Sequence, residues 1–301
     1  MKRASLLLLI SCLPPGLAQA KEPVQRPVKK TCDAGIVLKL NAAGASQGGI
    51  LLAEVSGALP SQEFSSEWDG KPMPLWRENA ASNTLHTLIG VDLEKPSGQY
   101  EWKISWSTAD GQRHACGAPV TVRSGKFRIE RLTVEKQFVQ PDPEQQKRIE
   151  EDQKKMKAVY ETFTPEVLWK GKFIAPLKGV NAGRNFGSRR VLNGEARSPH
   201  SGVDLPAPTG TPVYAAQSGK VLLAENLYYA GNTVVIDHGF GIFTMYAHLS
   251  EIGVHAGEAV EVSAEIGKVG ATGRVTGPHL HWGLTIDHAR VNALQIVQRR
   301  P

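Results

Sequence analysis

The chain has 301 residues, of which 41% are hydrophobic and 21% charged, with 35 Lys and Arg against 29 Asp and Glu. No dense basic stripe with interleaved aromatic residues occurs, which argues against nucleic acid as a partner. The formal charge of +6, or +4 without Lys2 and Arg3, favours polyanionic surroundings such as a cell wall or an anionic membrane face. This length exceeds what one core usually spans and predicts two domains.

Residues 1–20 have the three parts of an export signal. Lys2 and Arg3 form a short positive segment, residues 6–10 an apolar core, and Ala18-Gln19-Ala20 a small-x-small cleavage site. The apolar run is too short to cross a bilayer, so we expect no transmembrane segment there. We therefore predict that residues 1–20 are a signal peptide and that the mature protein is exported.

The three cysteines fit an exported protein. Cys12 ends a segment that resembles a bacterial lipoprotein box, which makes lipidation at Cys12 the alternative to cleavage after Ala20. Cys32 and Cys116 remain as an even pair, and we predict that they form one disulfide, with two buried free thiols as the alternative. Neither lies in a C-x-x-C spacing, so we expect no part for them in a metal site.

Residues 21–140 have the pattern of a β domain. Residues 100–107 alternate apolar and polar side chains, and Asp110-Gly111 marks a hairpin turn. Short strands separated by turn residues, together with one disulfide, predict a β-sandwich whose core holds three tryptophans. The further predicted strands are 36–40, 50–55, 85–91 and 129–134, and the tryptophans are Trp76, Trp102 and Trp106.

Residues 141–164 are predicted to form one amphipathic connecting helix. Asp142 is placed as its N-cap, Pro143 at the first helical position and Gln145 at N3. One side of the predicted helix carries a narrow apolar stripe, which consists of Ile149, Met156, Tyr160 and Phe163. The helix is interpreted as a solvated connector, with a hinge or lid for the next domain as the alternative.

Residues 165–301 predict a second domain, an antiparallel β fold without a further long helix. Their β-branched and aromatic runs are broken by Gly or Asn. The strand-like runs begin at Thr211, Gly219, Thr233 and Phe243.

This C-terminal part contains a split group of histidines. His200 and Asp204 are four residues apart, but the nearby prolines and Gly202 argue against a helix, and an even spacing also shares one face of a strand. His279 and His281 share a strand face in the same way. Two strands of one sheet can therefore direct all four side chains to one point. Two histidines and a carboxylate suit zinc, and three ligands leave a position open for water, as in a hydrolase.

Further motifs surround these residues. His200-Ser-Gly-Val-Asp-Leu-Pro-Ala-Pro-Thr-Gly-Thr-Pro-Val, Tyr246-Ala-His-Leu and Gly277-Pro-His-Leu-His-Trp occur in that order, with Gly231-Asn-Thr-Val-Val-Ile-Asp-His-Gly between the first two. Over residues 170–295 the chain resembles the M23 family of zinc metallopeptidases, the lysostaphin or LytM type. The N-terminal β domain and helix resemble what exported Gram-negative members carry, which places the mature protein in the periplasm, with secretion as an alternative.

The resemblance implies a function and a site. His200, Asp204 and His281 match the ligands of one Zn²⁺ per chain, and His248 and His279 match the two catalytic histidines, without indicating which is the base. It implies an endopeptidase that hydrolyses peptide cross-links of peptidoglycan. A wall-binding activator of amidases without turnover and a secreted protease acting on glycine-rich proteins are the alternatives. The sequence leaves open the oligomeric state and whether the N-terminal domain inhibits or targets.

Overall fold

The computed structural model describes residues 26–179, 183, 185–297, 299 and 301. The predicted signal peptide and Cys12 lie outside the described residues. Within them the chain forms four β-sheets and one α-helix. The predicted fold class, mainly β with one connecting helix, is confirmed.

Nine strands form the N-terminal part. They are β1 (Val28–Thr31), β2 (Val37–Leu40), β3 (Gly44–Ser46), β4 (Ile50–Ser56), β5 (Phe64–Trp68), β6 (Lys71–Met73), β7 (Thr84–Gly90), β8 (Gly98–Ser107) and β9 (Arg113–Arg123). One sheet has the order β1-β2-β4-β7 and the other β3-β9-β8-β5-β6. Along β8, Trp102, Ile104 and Trp106 are buried between exposed neighbours, so the alternation in the sequence does mark one buried face. These side chains share a core with those of the first sheet, such as Val55.

The disulfide ties the two sheets of this sandwich together. Cys32 lies between β1 and β2 of one sheet, and Cys116 lies on β9 of the other. The two sulfurs are bonded, with 6.1 Å between the Cα atoms. The predicted pairing is therefore present.

Trp76 differs from the other two tryptophans of the predicted sandwich core. It is buried, but its ring packs against Trp169 and Phe240 of the C-terminal part, with centroids 5.3 and 5.6 Å away. The expectation that Trp76 belongs to the sandwich core is corrected, because a loop places it between the two parts of the chain. Arg290 joins the same parts, since its guanidinium bonds both carboxylate oxygens of Asp92.

The helix α1 (Pro143–Glu161) begins as the sequence predicts. The Asp142 carboxylate accepts a hydrogen bond from the Gln145 backbone N–H, and the Gln145 side chain accepts one from the Asp142 N–H. This reciprocal capping box satisfies two backbone donors that the first turn would otherwise leave unpaired.

Twelve further strands complete the fold. They are β10 (Ile129–Leu132), β11 (Arg189–Leu192), β12 (Glu195–Ala196), β13 (Gly202–Pro206), β14 (Pro212–Tyr214), β15 (Gly219–Leu227), β16 (Gly231–Asp237), β17 (Ile242–Ile252), β18 (Ala259–Val260), β19 (Glu265–Val269), β20 (His279–Ile286) and β21 (Ala289–Val291). The central sheet has the order β13-β20-β17-β16-β15-β18, with β14, β19 and β21 at its sides. Every pairing in it is antiparallel, as expected.

Part of the predicted apolar stripe packs against this central sheet, whereas Phe163 lies beyond the end of α1 and is mostly exposed. Met156 and Tyr160 contact a small buried cluster that includes Leu223 and Phe243, and the Tyr160 and Phe243 ring centroids are 5.6 Å apart. The opposite face of the sheet carries the main core, which includes Trp282. The helix is therefore packed along its apolar side rather than a free connector.

Strand β10 differs from its expected place. We expected residues 129–134 to belong to the N-terminal β domain, but β10 pairs in parallel with β11, and β12 completes this three-stranded sheet. The division into domains itself stays a prediction. In the described part of the chain, no helix combines the length and apolar character that a bilayer-spanning helix requires.

Candidate active site

The histidine group lies where β13 and β20 run side by side. Asp204 is directly opposite His281, and Pro206 is opposite His279. Successive side chains of a strand point to opposite faces, so His279 and His281 share a face and Asp204 reaches the same one. His200, just before β13, completes the group from the same side.

Three donor atoms of this group converge on one point. His200 Nε2 lies 2.8 Å from His281 Nδ1 and 3.1 Å from Asp204 Oδ1, and the last two atoms are 3.0 Å apart. Ligand atoms of a tetrahedral zinc ion are about 3.3 Å apart when each is at about 2.0–2.1 Å from the metal. The three side chains therefore suit a zinc ion in chemistry and in spacing.

Neighbouring groups hold these donors in orientation. His200 Nδ1 donates to the Asn185 carbonyl oxygen at 3.0 Å, which leaves Nε2 free to bind a metal. The Asn185 side-chain amide donates to Asp204 Oδ2 at 2.6 Å, and the Arg190 guanidinium lies 3.6 Å from the same oxygen. The second oxygen of Asp204 is thus fixed by the protein, while Oδ1 faces the two histidines.

The surroundings shift the acid–base properties of the group. Burial acts to raise the pKa of Asp204, but hydrogen bonds and charge interactions with His200 and His281 outweigh it and hold that pKa well below its usual range. Burial lowers the pKa of His281 to about 4, against the opposing effect of Asp204. At neutral pH the group therefore offers a carboxylate and a neutral imidazole, the forms that bind metal.

His248 reaches the site through an irregularity of β17. Asn232 of β16 pairs with Leu249 and Val234 pairs with Tyr246, so two residues of β17 stand opposite one of β16. This β-bulge gives His248 a φ of 64°, in the left-handed region. The turned backbone directs the imidazole to the face of His281 rather than to the core face where Tyr246 lies.

His248 and His279 have matching hydrogen bonds. His248 Nδ1 donates to the Thr272 carbonyl oxygen at 2.9 Å, and His279 Nδ1 donates to the Gly277 carbonyl oxygen at 2.8 Å. Because a carbonyl oxygen only accepts, these bonds keep the proton on Nδ1 and leave each Nε2 available to take or give one. The two ring centroids are 4.9 Å apart. Burial, and then the neighbouring His281 and His279, lower the pKa of His248 to about 3.

An open cavity of about 210 Å³ lies in front of these histidines. Asp204, His248 and His279 form one side of it, together with the segment 274–276. Charged and apolar side chains of β10 and β11 also line it, together with Val134 and Asn185; the strand residues are Glu130, Leu132, Arg190 and Leu192. The small sheet therefore borders the same space as His248 and His279.

The structure brings together all five side chains that the sequence singles out, His200, Asp204, His248, His279 and His281. A further histidine, His238, lies elsewhere, buried and bonded to the Ser218 carbonyl oxygen and Thr244.

The sequence did not indicate Asn185, Thr272 or the cavity arginines. Thr272 and Arg274 do carry a signal, because both lie in a further segment that resembles the family, Gly267-Lys-Val-Gly-Ala-Thr-Gly-Arg. The Thr272 hydroxyl accepts from the Asn232 N–H and donates to the Leu249 carbonyl oxygen, so Thr272 supports the bulge as well as His248.

The C-terminal part of the chain is similar in sequence to known peptidases. Residues 198–293 match the sequence profile of peptidase family M23. The chain is 47% identical over 112 residues to the peptidoglycan DD-endopeptidase ShyA of Vibrio cholerae, covering 37% of this chain and 26% of ShyA. It is 38% identical over 133 residues to the DD-carboxypeptidase/endopeptidase Mpg of Neisseria meningitidis, covering 44% of this chain and 31% of Mpg. The match thus spans less than a third of either curated relative.

A solved structure extends the likeness beyond the histidine-bearing part. The crystal structure of a Pseudomonas aeruginosa protein described as an M23 peptidase is 30% identical, with a TM-score of 0.63. The similarity covers 84% of this chain and 96% of that one. Since the likeness includes the sequence profile, the fold and nearly the whole length of a solved relative, this chain belongs to peptidase family M23.

Proposed function

We propose that this protein is an exported zinc endopeptidase that hydrolyses peptide cross-links of bacterial peptidoglycan. The observation that carries the proposal is the convergence of three donor atoms beside two histidines whose Nε2 atoms are free, at the edge of one open cavity. Binding alone would need the three donors but not the two further histidines.

His200, Asp204 and His281 are the residues that would hold the zinc ion. An ion bound there supplies Lewis acidity at the substrate carbonyl and makes water easier to deprotonate. The protein fixes the ligands for it through Asn185 and Arg190, which hold the outer oxygen of Asp204.

His248 and His279 would handle the protons. Amide hydrolysis needs a base for the attacking water and an acid for the leaving amine. With Nδ1–H bound to a backbone carbonyl, each imidazole presents Nε2 to the cavity as an acceptor, and as a donor once protonated. Both rings can therefore take part in proton transfer, and they lie close enough together to act on the same substrate.

The substrate class rests on relatives and on location. ShyA acts as a peptidoglycan DD-endopeptidase, and Mpg as a DD-carboxypeptidase/endopeptidase. The leader-like residues 1–20 and the disulfide between Cys32 and Cys116 support export to an oxidising compartment, for which we propose the periplasm. The wall is the peptide-bearing polymer met there.

Digestion of purified sacculi tests the proposal. The zinc-loaded mature protein should release muropeptides from cross-links, a chelator should stop the release, and added Zn²⁺ should restore it. His279→Ala should lose activity by at least about 100-fold, since a general acid–base group contributes about 10²–10⁴-fold. His255→Ala, at an exposed histidine away from the cavity, is the matched control and should keep full activity.

Two other outcomes would replace the proposal. If no preparation cuts sacculi, and the His279→Ala variant has the same effect on cells as the wild type, the protein is an activator of amidases without turnover. If glycine-rich proteins are cut and sacculi are not, the protein is a secreted protease of another substrate class.

A further inference from the structure

Two arginines line the cavity beside the catalytic histidines. Arg190 stands on β11 and Arg274 follows the loop that holds Thr272, and both border the same space as His248 and His279. Arg190 is only about one-fifth exposed, with 21% of its side-chain surface accessible. Two positive groups thus face a small, partly enclosed space.

The acidic groups nearby leave these charges incompletely balanced. Asp204 is 3.6 Å from Arg190, but its other oxygen faces the histidines as a metal donor. Glu130 lies directly opposite Arg190 in the pairing of β10 with β11, but it is paired with Arg128 at 2.5 Å. Among the described residues Arg274 has no carboxylate within ion-pair distance, and the buried Arg190 Nε–H has no hydrogen-bond partner. The cavity therefore offers donors and positive charge that the protein itself does not use.

Arg274 is also held in place. Its guanidinium carbon lies 4.5 Å from the centre of the Tyr229 ring, and its backbone N–H donates to the Tyr229 carbonyl oxygen at 2.9 Å. Stacking on an aromatic face fixes the plane of a guanidinium while leaving its N–H edge free. A planar fork with free N–H groups matches a carboxylate, which it binds with two parallel hydrogen bonds.

We propose that Arg274, assisted by Arg190, binds a free carboxylate of the substrate next to the amide that is cleaved. The inference rests on the proposed peptidase function and narrows its substrate. The preferred bond is one beside an α-carboxylate, as in a cross-link made through a residue that keeps its own acid group. Neutral glycine bridges and amidated cross-links are poor substrates.

A pair of muropeptides tests this subsite. Both are the same cross-linked compound, one with the carboxylate beside the cleaved amide free and the other with it converted to a carboxamide. The zinc-loaded wild-type protein should cleave the acid with a kcat/KM at least tenfold above that of the amide. Arg274→Gln should reduce this ratio to about two or less, because only cleavage of the acid substrate becomes slower. Arg274→Lys should give an intermediate ratio.

Arg113→Gln is the control, at an exposed arginine on β9 of the sandwich, and should keep the wild-type ratio. A wild-type ratio near one overturns the inference. So does a preference that survives in Arg274→Gln, since the carboxylate would then be bound elsewhere. Equal zinc content and thermal unfolding of the variants show that they fold.

Binding separates this inference from the proposed function. If neither muropeptide is cut, the peptidase proposal fails, and calorimetric titration of the same zinc-loaded proteins with the same pair still measures the subsite. At least tenfold tighter binding of the acid, lost in Arg274→Gln, supports a carboxylate site. Equal binding of acid and amide by the wild type overturns it.

Discussion

Ala247 lies directly opposite His281 on the neighbouring strand, yet it is the next residue, His248, that joins the histidine group. In a regular strand His248 would share the core face with Tyr246. The bulge at this point reverses its direction, with φ of 64° at His248. One residue in a sparsely populated backbone region thus brings the rings of His248 and His279 together.

This backbone conformation predicts that glycine at position 248 gives a more stable protein than alanine, the reverse of the usual order. A non-glycine residue in the left-handed region costs about 1–2 kcal/mol relative to glycine, which has no Cβ. In the presence of a chelator, His248→Gly should therefore unfold with a free energy about 1 kcal/mol higher than His248→Ala. Denaturant titration of the two variants measures the difference, and neither should hydrolyse substrate.

The neighbouring position supplies the control for this comparison. Ala247 is buried and is not among the residues with positive φ, so Ala247→Gly should destabilise by about 0.5–1 kcal/mol, the usual cost of glycine in a strand. If Ala proved more stable than Gly at position 248 as well, the left-handed conformation would not exist in solution.

Much of the site can be predicted from the sequence, because its residues occur in pairs of close neighbours along the chain. His279 and His281 share a face whatever the rest of the sheet does, and Asp204 with His200 follows the same even spacing. Gly202 and the nearby prolines argue against a helix, so two adjacent strands suffice to gather four side chains. The capping box of α1 is local in the same way, and the helix begins where the sequence predicts.

The parts that the sequence does not predict depend on distant contacts. The bulge at His248 arises from pairing with β16 and from Thr272, which have no local signal at residue 248. Strand β10 has the composition of a sandwich strand, but it pairs with β11, which lies beyond the helix. Arg190 and Arg274 face one cavity only after the chain has folded, so composition alone does not distinguish them from surface arginines.

Gly202 is predicted to be required for tight metal binding. A Cβ added there would lie 2.5 Å from His281 Nε2 and 2.8 Å from the Trp282 carbonyl oxygen. The Trp282 carbonyl oxygen belongs to the backbone and cannot move away, so the added Cβ of Gly202→Ala should displace the His281 ring. The affinity for zinc should then fall at least tenfold, as measured by competition with a chelating dye. Gly277→Ala is the matched control, since a Cβ there meets nothing within 4 Å, and it should bind zinc like the wild type. Unchanged affinity in Gly202→Ala would contradict the close approach.

The disulfide is predicted to stabilise the sandwich strongly. Cys32 and Cys116 are 84 residues apart in sequence, and closing a loop of that length stabilises by about 4.6 kcal/mol in the chain-entropy model. The Cys32→Ser/Cys116→Ser variant should lose about that free energy of unfolding in denaturant titrations. A reducing agent should bring the wild type to the same value and leave the double variant unchanged. If reduction has no effect on the wild type, the two thiols are not bonded in solution.

The buried His238 is predicted to make the protein less stable as the pH falls below 6.5. Its ring is buried against Phe173, with Nδ1 donating to the Ser218 carbonyl oxygen and Nε2 accepting from the Thr244 hydroxyl. Burial lowers the pKa of His238 from 6.5 to about 4, so the folded protein holds the neutral ring while the unfolded chain takes up a proton as the pH falls below 6.5. The contribution of this neutral ring to stability is therefore fully present above pH 6.5 and declines as the pH falls towards 4.

This loss can be separated from that of other acid-sensitive groups by a difference measurement. Between pH 8 and pH 5, His238 should account for about 2 kcal/mol of lost unfolding free energy. His238→Asn keeps a donor and an acceptor but does not titrate, so the fall in its unfolding free energy over this range should be smaller by about that amount, even if its stability at pH 8 is lower. His255→Asn, at an exposed histidine, should keep the wild-type pH dependence. Equal pH dependence in His238→Asn and the wild type would mean that the His238 ring is protonated, or open to water, in the folded protein.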